Sequence, residues 1–411
     1  MQCVYDKIDN NYVIWGSFME FKHENGTYTV YLSGRIDSGN APEVEREVQA
    51  IGIPPQAPIV LDLEKLDYIS SAGLRVVLRI KKSNADTKII NASRDVYDIF
   101  EMTGFTEMME IEKAYRVMSV EGCEVIGEGA NGLVYRIDAD TIIKVYKNPD
   151  SLDEIHNERE LARKAFVLGI PTAIPYDVVR VGNLYGSVFE LLDATSFAKL
   201  VIAHPEQLDT LAKESVEILK TIHATFLKKG ALPDKKAEAM GWVQCCKPFL
   251  EPGVYNRLYA LMDAIPDKYN MLHGDYHVKN IMKQNGENLL IDMDTLSEGH
   301  PIFEFAAIFL AYVGFSCVDR DNVKGFLGLD YDLAVRFWEQ TLAFYFGGKD
   351  SAFIEDVALK ASIIGYTRLL RRSAEKLGLE TEMGKKLVDY CKHFIEENID
   401  KVDSLYFVTE D

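Results

Sequence analysis

Three glycines, Gly127, Gly129 and Gly132, have the spacing G-x-G-x-x-G. Such a segment either leads from a strand into a helix, as in a dinucleotide-binding turn, or connects two strands. The residues that follow, Val134 among them, are mostly β-formers, which favours the second arrangement. The sequence therefore predicts three antiparallel strands across 124–145, with a glycine-rich turn between the first two, and excludes a dinucleotide-binding turn here.

A lysine inside an apolar strand follows this turn. Lys144 lies in the segment 142–145, where a strand lysine would ordinarily extend its charge to solvent. Its position after the glycines also matches the lysine that contacts the α- and β-phosphates of a nucleotide. That role needs a carboxylate on the next predicted helix, 153–166. Glu158 is the first choice and Glu160 the second, the alternative for either being a solvated helix face.

A short loop motif, His273-Gly274-Asp275 followed by Asn280, carries the most chemical information. In phosphoryl transfer a loop carboxylate orients the attacking hydroxyl and accepts its proton, and an amide oxygen five residues later holds a metal ion. Asp292 ends a short predicted strand, where it could bridge Mg²⁺ between phosphate oxygens. We therefore expect Asp275 to be the catalytic base, Asn280 and Asp292 to bind metal, and His273 to brace the loop.

Three further polar residues near this loop have two interpretations each. Asp294 is an additional candidate for a metal ligand. His277 and Lys279 occupy positions from which a cation could approach the γ-phosphate, but an exposed side chain fits the sequence equally well.

These motifs together resemble the aminoglycoside phosphotransferase/choline kinase family of protein-kinase-like enzymes. The resemblance covers the chain from about residue 121 onward. It implies ATP and Mg²⁺ in a cleft between two lobes, with Glu190 and Leu192 near the hinge that contacts adenine, and transfer of phosphate to a hydroxyl of a small molecule. The expected fold is an α+β bilobal kinase-like domain at 120–411, with an N-lobe at about 120–193 and a largely helical C-lobe at about 194–411.

Two positions differ from the family pattern. His300 stands where the family usually has aspartate, so no role is assigned to it. Asp294 stands where glutamate is common, which leaves its function open.

The first hundred residues alternate predicted strands and helices, as in a compact α/β domain. Asn25-Gly26 is a hairpin signal, and Ala41-Pro42 opens a helix with proline in the first turn. The predicted strands are 27–32, 59–63 and 88–90, and the predicted helices begin at residues 41, 71 and 96.

Residues 33–37 and 66–74 resemble the STAS family, the anti-sigma-factor antagonist domains, and the expected domain spans 13–112. The resemblance implies a protein partner and a serine, phosphorylated by a partner kinase, where a strand meets a helix. By position that phosphoacceptor is Ser71, and Ser70 replaces the family's usual aspartate. A helix N-terminus favours an added phosphate. The alternative is that Ser71 only caps the helix.

The formal charge of −19 argues against nucleic acid and anionic membranes as partners, because both attract basic surfaces. The longest apolar run, 303–318, is interrupted by Glu304 and is too short to span a bilayer, so a buried helix is expected. No signal peptide opens the chain, and the six cysteines are scattered without ligand spacing. These features predict a cytoplasmic protein with reduced thiols.

An acidic surface could attract a cationic acceptor, and Phe315, Trp338 and Tyr345 could surround an amine, although their helical spacing favours the core. The leading hypothesis is an ATP-dependent kinase of a small-molecule hydroxyl with a STAS domain for regulation or docking. A second is a signalling scaffold whose STAS domain binds an anti-sigma-factor-like protein while the kinase fold senses nucleotide or phosphorylates a protein. A third is that the kinase domain phosphorylates Ser71 of its own chain.

Overall fold

The computed structural model describes residues 5–8, 11–15, 19–24, 26–129, 131–377 and 380–408. The chain divides between Met118 and Ser119 into two compact units. Each unit has its own core of buried apolar residues. Val13, where the predicted STAS domain begins, lies in a strand, whereas Asn25 of the hairpin signal lies outside the described residues.

The first unit is built on a seven-stranded sheet. Its strands are β1 (Tyr5–Ile8), β2 (Asn11–Trp15), β3 (Met19–Glu24), β4 (Thr27–Ile36), β5 (Ile59–Ile69), β6 (Thr87–Ala92) and β7 (Ile111–Lys113), followed by β8 (Arg116–Val117); its helices are α1 (Ala41–Ala50), α2 (Ser71–Ser83) and α3 (Arg94–Met102). Strands β1 to β7 are neighbours in sequence order, antiparallel up to β4 and parallel from β4 to β7. The predicted α/β architecture is confirmed.

Helix α2 is capped by Ser70 and not by Ser71. The Ser70 Oγ atom accepts hydrogen bonds from the amides of Ala72 (3.2 Å) and Gly73 (3.4 Å). Ser71 is the first residue of the helix and is exposed. The interpretation of Ser71 as the cap is therefore wrong, because the preceding serine already supplies the acceptor.

We expect Ser70→Ala to lower the free energy of unfolding of the first unit by about 1 kcal/mol, since it removes this cap. Ser71→Ala is the matched control and should change it by less than about 0.5 kcal/mol, as for other exposed substitutions. Urea denaturation of both variants measures the difference, and equal effects would contradict the assignment of the cap.

The second unit begins with an antiparallel sheet, as the sequence predicts. Its elements are β9 (Glu124–Glu128), β10 (Gly132–Arg136), β11 (Thr141–Tyr146), α4 (Leu152–Val167), β12 (Asp177–Val181) and β13 (Leu184–Glu190). The strands are hydrogen-bonded in the order β12-β13-β11-β10-β9. Strand β11 is central, and its buried Ile143 and Val145 alternate with Lys144, whose side chain therefore emerges on the opposite face.

The rest of this unit is mainly helical. Its helices are α5 (Phe197–Ala203), α6 (Leu208–Ala224), α7 (Lys235–Cys246), α8 (Pro252–Asp263), α9 (Ile302–Tyr312), α10 (Asn322–Leu327), α11 (Tyr331–Tyr345), α12 (Ser351–Arg372) and α13 (Glu382–Asn398). Short 3-10 or π turns occur in this unit at 205–207, 314–316, 373–377 and 399–401, and in the first unit at 105–107. Helix α9, inside the apolar run, is almost entirely buried. Across the described ranges, no helix is both long and apolar enough to cross a membrane.

Five short strands lie among these helices: β14 (Thr195–Ser196), β15 (Asn270–Leu272), β16 (Ile281–Gln284), β17 (Glu287–Leu290) and β18 (Ser297–Gly299). The sequence predicts β16 and β17 but not the others, since two or three residues are too few to show alternation. Strand β15 ends immediately before His273 and pairs with β18. Strands β16 and β17 form a hairpin that begins one residue after Asn280. The predicted catalytic loop is therefore held between two strand pairs.

Candidate active site

The glycine turn allows close approach of strands as well as backbone freedom. The Gly129 amide donates a hydrogen bond to the Gly132 carbonyl oxygen (2.9 Å) across the turn. A Cβ atom on Gly132 would lie 2.5 Å from the carbonyl oxygen of Val145, so only glycine fits beside β11. Val134 packs against the backbone of Gly127, where a Cβ atom would lie 3.6 Å away.

Lys144 forms an ion pair with Glu158 on α4. The Lys144 Nζ atom lies 2.9 and 3.1 Å from the two carboxylate oxygens of Glu158, and the Tyr146 hydroxyl donates to the same carboxylate. Burial lowers the pKa of Lys144, but the charges of Asp292 and Glu158 raise it well above its usual value, so the lysine is charged. Glu160 is exposed and pairs with Lys164, so the second choice for the partner is wrong.

Asp292 reaches the same lysine from the helical part of the unit. Its Oδ1 atom lies 3.2 Å from Lys144 Nζ, although 148 residues separate the two. Asp292 follows β17 with a φ of +65°, a backbone conformation that is uncommon for residues other than glycine. Burial and the charge of Asp292 together raise the pKa of the neighbouring Asp294 to about 7.

The predicted catalytic loop is closed by hydrogen bonds across its own backbone. The Asn280 Nδ2 atom donates to the carbonyl oxygen of Asp275 (2.9 Å). His277 is buried, and its Nε2 atom lies 3.5 Å from Asp275 Oδ2. Burial raises the pKa of Asp275, but hydrogen bonding and the charge of His277 outweigh it and lower the pKa to about 2. Lys279 instead donates to the Phe326 carbonyl oxygen (2.7 Å).

Glu304, on helix α9, supports the catalytic loop, a role that was not predicted from the sequence. Its side chain is fully buried on α9 and accepts the amides of His273 (2.5 Å) and Gly274 (2.9 Å). Gly274 has a φ of +83°, and a Cβ atom there would collide with the Thr295 carbonyl oxygen. The sequence did contain a feature from which this role could be predicted, a carboxylate within an apolar helix. A buried charge is rare unless it has hydrogen-bond or ion-pair partners. His223 supplies a further partner at 3.8 Å.

His273 and His300 make structural contacts with backbone groups. His273 is buried; its Nδ1 atom accepts the Asp275 amide (3.3 Å), and its carbonyl oxygen accepts the Thr295 hydroxyl (2.7 Å). His300 Nδ1 accepts the Ile302 amide (3.1 Å) at the start of α9. Both histidines therefore position the backbone, and Asp275 remains the candidate for the reacting side chain.

The predicted adenine-contacting residues lie where the sheet ends. Glu190 is the last residue of β13 and is exposed, and Leu192 is partly buried two residues later. Between them, the Leu191 amide donates to the Asp140 carbonyl oxygen (2.7 Å). This segment is therefore fixed to the turn before β11.

The aromatic residues considered as an amine cage do not form one. Trp338 is buried against Phe305, and Tyr345 packs on Phe305 as well while contacting His223. Phe315 instead packs against Phe326. For Trp338 and Tyr345 the core interpretation is correct.

The side chains beside Lys144 have the chemistry that Mg²⁺ requires. Asn280, Asp292 and Asp294 offer amide and carboxylate oxygens, the ligands that this hard cation prefers. Within the described ranges, no group of three or more His, Cys, Asp or Glu residues is suited to a metal. Burial and, second, the charge of Asp292 raise the pKa of Asp294, and a divalent cation beside it would favour its ionised form.

An antiparallel sheet that leads into a mainly helical part, with a charged lysine facing a loop aspartate across the junction, defines a kinase-like phosphotransferase fold. Residues 122–333, more than half of the chain, match the model of the phosphotransferase enzyme family, and the chain therefore belongs to that family. Residues 18–117 match the STAS domain model. Both family resemblances found in the sequence are confirmed.

Curated relatives match the first unit. A Bordetella bronchiseptica protein that carries the name anti-sigma factor antagonist BtrV is 35% identical over 91 residues, 21% of this chain and 78% of the relative. The anti-sigma-B factor antagonist of Listeria monocytogenes is 25% identical over 87 residues, 20% of this chain and 76% of the relative. These matches place the first unit among the STAS domains of anti-sigma factor antagonists.

Two solved structures are similar to most of the chain. One is an ADP-bound aminoglycoside phosphotransferase, APH(2'')-Ib, with 14% identity and a TM-score of 0.49, covering 75% of this chain and 99% of that one. The other is a choline/ethanolamine kinase family protein from Mesorhizobium loti, with 13% identity and a TM-score of 0.44, covering 68% and 88%.

Proposed function

We propose that the second unit transfers the γ-phosphate of ATP to a hydroxyl of a small molecule. The observation that carries this proposal is the 3.2 Å contact between Lys144 and Asp292. It brings the sheet, which supplies the phosphate-binding lysine, to the loop region that supplies Asp275 and Asn280. All four side chains that the reaction needs are present, which favours an active enzyme over a nucleotide sensor.

The reaction follows from these side chains. Asp275, charged at neutral pH, accepts a hydrogen bond from the acceptor hydroxyl and orients it. The hydroxyl oxygen forms a bond to the γ-phosphorus, the bond to the β,γ-bridging oxygen breaks, and the proton passes to Asp275 as ADP leaves. Lys144, held by Glu158, binds the α- and β-phosphates. Asn280 and Asp292 would hold a Mg²⁺ ion, which would supply positive charge to the phosphate oxygens.

Lys144→Met should lower acceptor-dependent ADP release about 100-fold, because it removes a preorganised charge from the phosphates. The assay combines Mg-ATP with a panel of amino sugars, choline-like amines, amino alcohols and sugar acids. Lys164→Met breaks an exposed ion pair on α4 and serves as the control. Nucleotide binding by the wild type without turnover of any acceptor would instead favour the signalling scaffold.

We further propose that the STAS domain docks a protein partner and that Ser71 is its phosphoacceptor. The exposure of Ser71 at the first turn of α2 supports this, because the positive end of the helix dipole there favours an added anion. Ser70 is less suited, since its hydroxyl already caps the helix. A phosphate on Ser71 would add nearly two negative charges to the docking surface and switch binding.

This proposal predicts phosphate on Ser71 and none on Ser70 in protein isolated from the cells that produce it, as measured by peptide mass spectrometry. Incubation of purified protein with Mg-ATP, beside the Asp275→Asn variant, then identifies the kinase. Modification in the wild type alone indicates phosphorylation by this chain, and modification only in cells indicates a partner kinase. Ser71 unmodified in both experiments would contradict the proposal.

A further inference from the structure

A small cleft beside the catalytic loop is lined by basic and aromatic side chains. It is bounded by Gly274 of the loop, by Lys235 and Trp242 of α7, by Glu304 of α9 and by Arg368 of α12. The Arg368 guanidinium lies over the Trp242 ring, 5.5 Å from its centroid. This is within the distance of a cation–π contact, which uses the charge of the guanidinium and none of its N–H donors.

Helix α12 presents a second arginine one turn further on. The Arg372 guanidinium lies 5.4 Å from the centroid of the Phe315 ring. Within the described part of the chain, neither Arg368 nor Arg372 has a carboxylate oxygen within 4 Å. Arg371, between them in sequence, pairs with Glu375 at 2.8 Å. Arg372 is exposed to solvent, whereas Arg368 is partly buried, where a guanidinium without a paired carboxylate is unusual.

Contacts link both arginines to the catalytic loop. Phe315, under Arg372, packs on Phe326, which packs on His277, the neighbour of Asp275. From the other side, the charge of Arg368 acts on Asp275 and contributes to the lowering of its pKa.

The other charged groups of the cleft act on Arg368 at longer range. Lys235 pairs with Glu238 at 2.7 Å. The charges of Glu238, Asp275 and Glu304 reach Arg368, but among the described residues none of these carboxylates forms an ion pair with it.

We propose that the acceptor hydroxyl belongs to an anionic molecule whose carboxylate or phosphate is bound by Arg368 and Arg372. Guanidinium groups bind such anions through paired, charge-assisted hydrogen bonds, and residues four apart on a helix lie on one face. A cationic acceptor, which an acidic surface could attract, would meet like charge at these two guanidinium groups. This inference rests on the proposed phosphotransferase function and specifies its substrate class.

The test uses two sets of acceptors that differ in charge: D-glycerate, glycerol and 2-amino-1,3-propanediol, and D-glucuronate, D-glucose and D-glucosamine. For the wild type we expect kcat/KM at least about tenfold higher for the anionic member of the set that is accepted. Arg368→Met and Arg372→Met should each reduce this anionic-to-neutral ratio about tenfold. Arg371→Met, on the same helix but ion-paired, is the control and should leave the ratio unchanged.

Preference for a neutral or cationic acceptor would overturn the anionic site and leave the phosphotransferase function standing. If none of the six acceptors is phosphorylated, ligand binding tests the anionic site separately. D-Glycerate and inorganic phosphate are titrated, with Mg-ADP saturating, while Trp242 fluorescence reports on the stacked guanidinium. Saturable binding that Arg368→Met abolishes supports the site even without turnover, and the absence of binding to the wild type overturns it.

Discussion

Asp275→Asn is expected to lower acceptor-dependent ADP release about 10³-fold, within the range for loss of a general base. Asparagine has nearly the same shape, so the loop should persist: the Asn280 amide bonds to the backbone oxygen of residue 275, and Glu304 holds the preceding amides. What is lost is the negative charge that orients the hydroxyl and receives its proton. The affinity for Mg-ADP, measured by calorimetry, should change little because the proposed contact with the nucleotide is made by Lys144.

The pH dependence of kcat/KM gives a second test of the role of Asp275. The pKa of Asp275 is about 2, so the carboxylate is charged throughout the range from pH 5 to 8. A fall in kcat/KM between pH 8 and pH 5 should therefore not arise from protonation of Asp275. Asp267→Asn, which alters an exposed carboxylate paired with Lys236, is the matched control and should behave like the wild type. An Asp275→Asn enzyme with more than a tenth of the wild-type rate would exclude the role of base.

The parts of the site that sequence could predict are those whose geometry is encoded within a few residues. The spacing of Asp275 and Asn280 is one example, because five residues are enough for the amide to bond back to residue 275. Lys144 and Glu158 are a second, since one strand and the following helix bring them within 3 Å. Local pattern and tertiary structure agree at these positions.

The site residues that were not predicted either contact segments distant in sequence or lie in a pattern typical of an exposed helix. Glu304 contacts the loop across 30 residues. Arg368 and Arg372 lie on a helix with charged neighbours, which in sequence is indistinguishable from a solvated face. Only the packing of α12 beside α7 and the loop reveals that Arg368 reaches the cleft. Ser70 and Ser71 are adjacent and identical, so the backbone alone decides which of them caps α2.

Glu304→Ala should be the most destabilising substitution at the site, lowering the free energy of unfolding by about 3–5 kcal/mol. It leaves the buried amides of His273 and Gly274 without an acceptor, and each unsatisfied buried donor costs about 1–3 kcal/mol. Glu304→Gln retains one acceptor oxygen and should cost about half as much. Glu339→Ala, on the exposed face of α11, is the control and should stay within about 0.5 kcal/mol.

The same carboxylate makes this stability depend on pH. Burial raises the pKa of Glu304, but hydrogen bonding and the charge of His223 outweigh it, so its pKa in the folded protein is lowered. A lowered folded pKa gives stability that is complete above the unfolded value of about 4.3 and is lost as pH falls through the folded pKa. The difference in unfolding free energy between wild type and Glu304→Gln, measured by urea denaturation, should therefore be constant from pH 6 to 8. It should shrink in acid, whereas a difference that is independent of pH down to pH 3 would mean that Glu304 is already neutral in the fold.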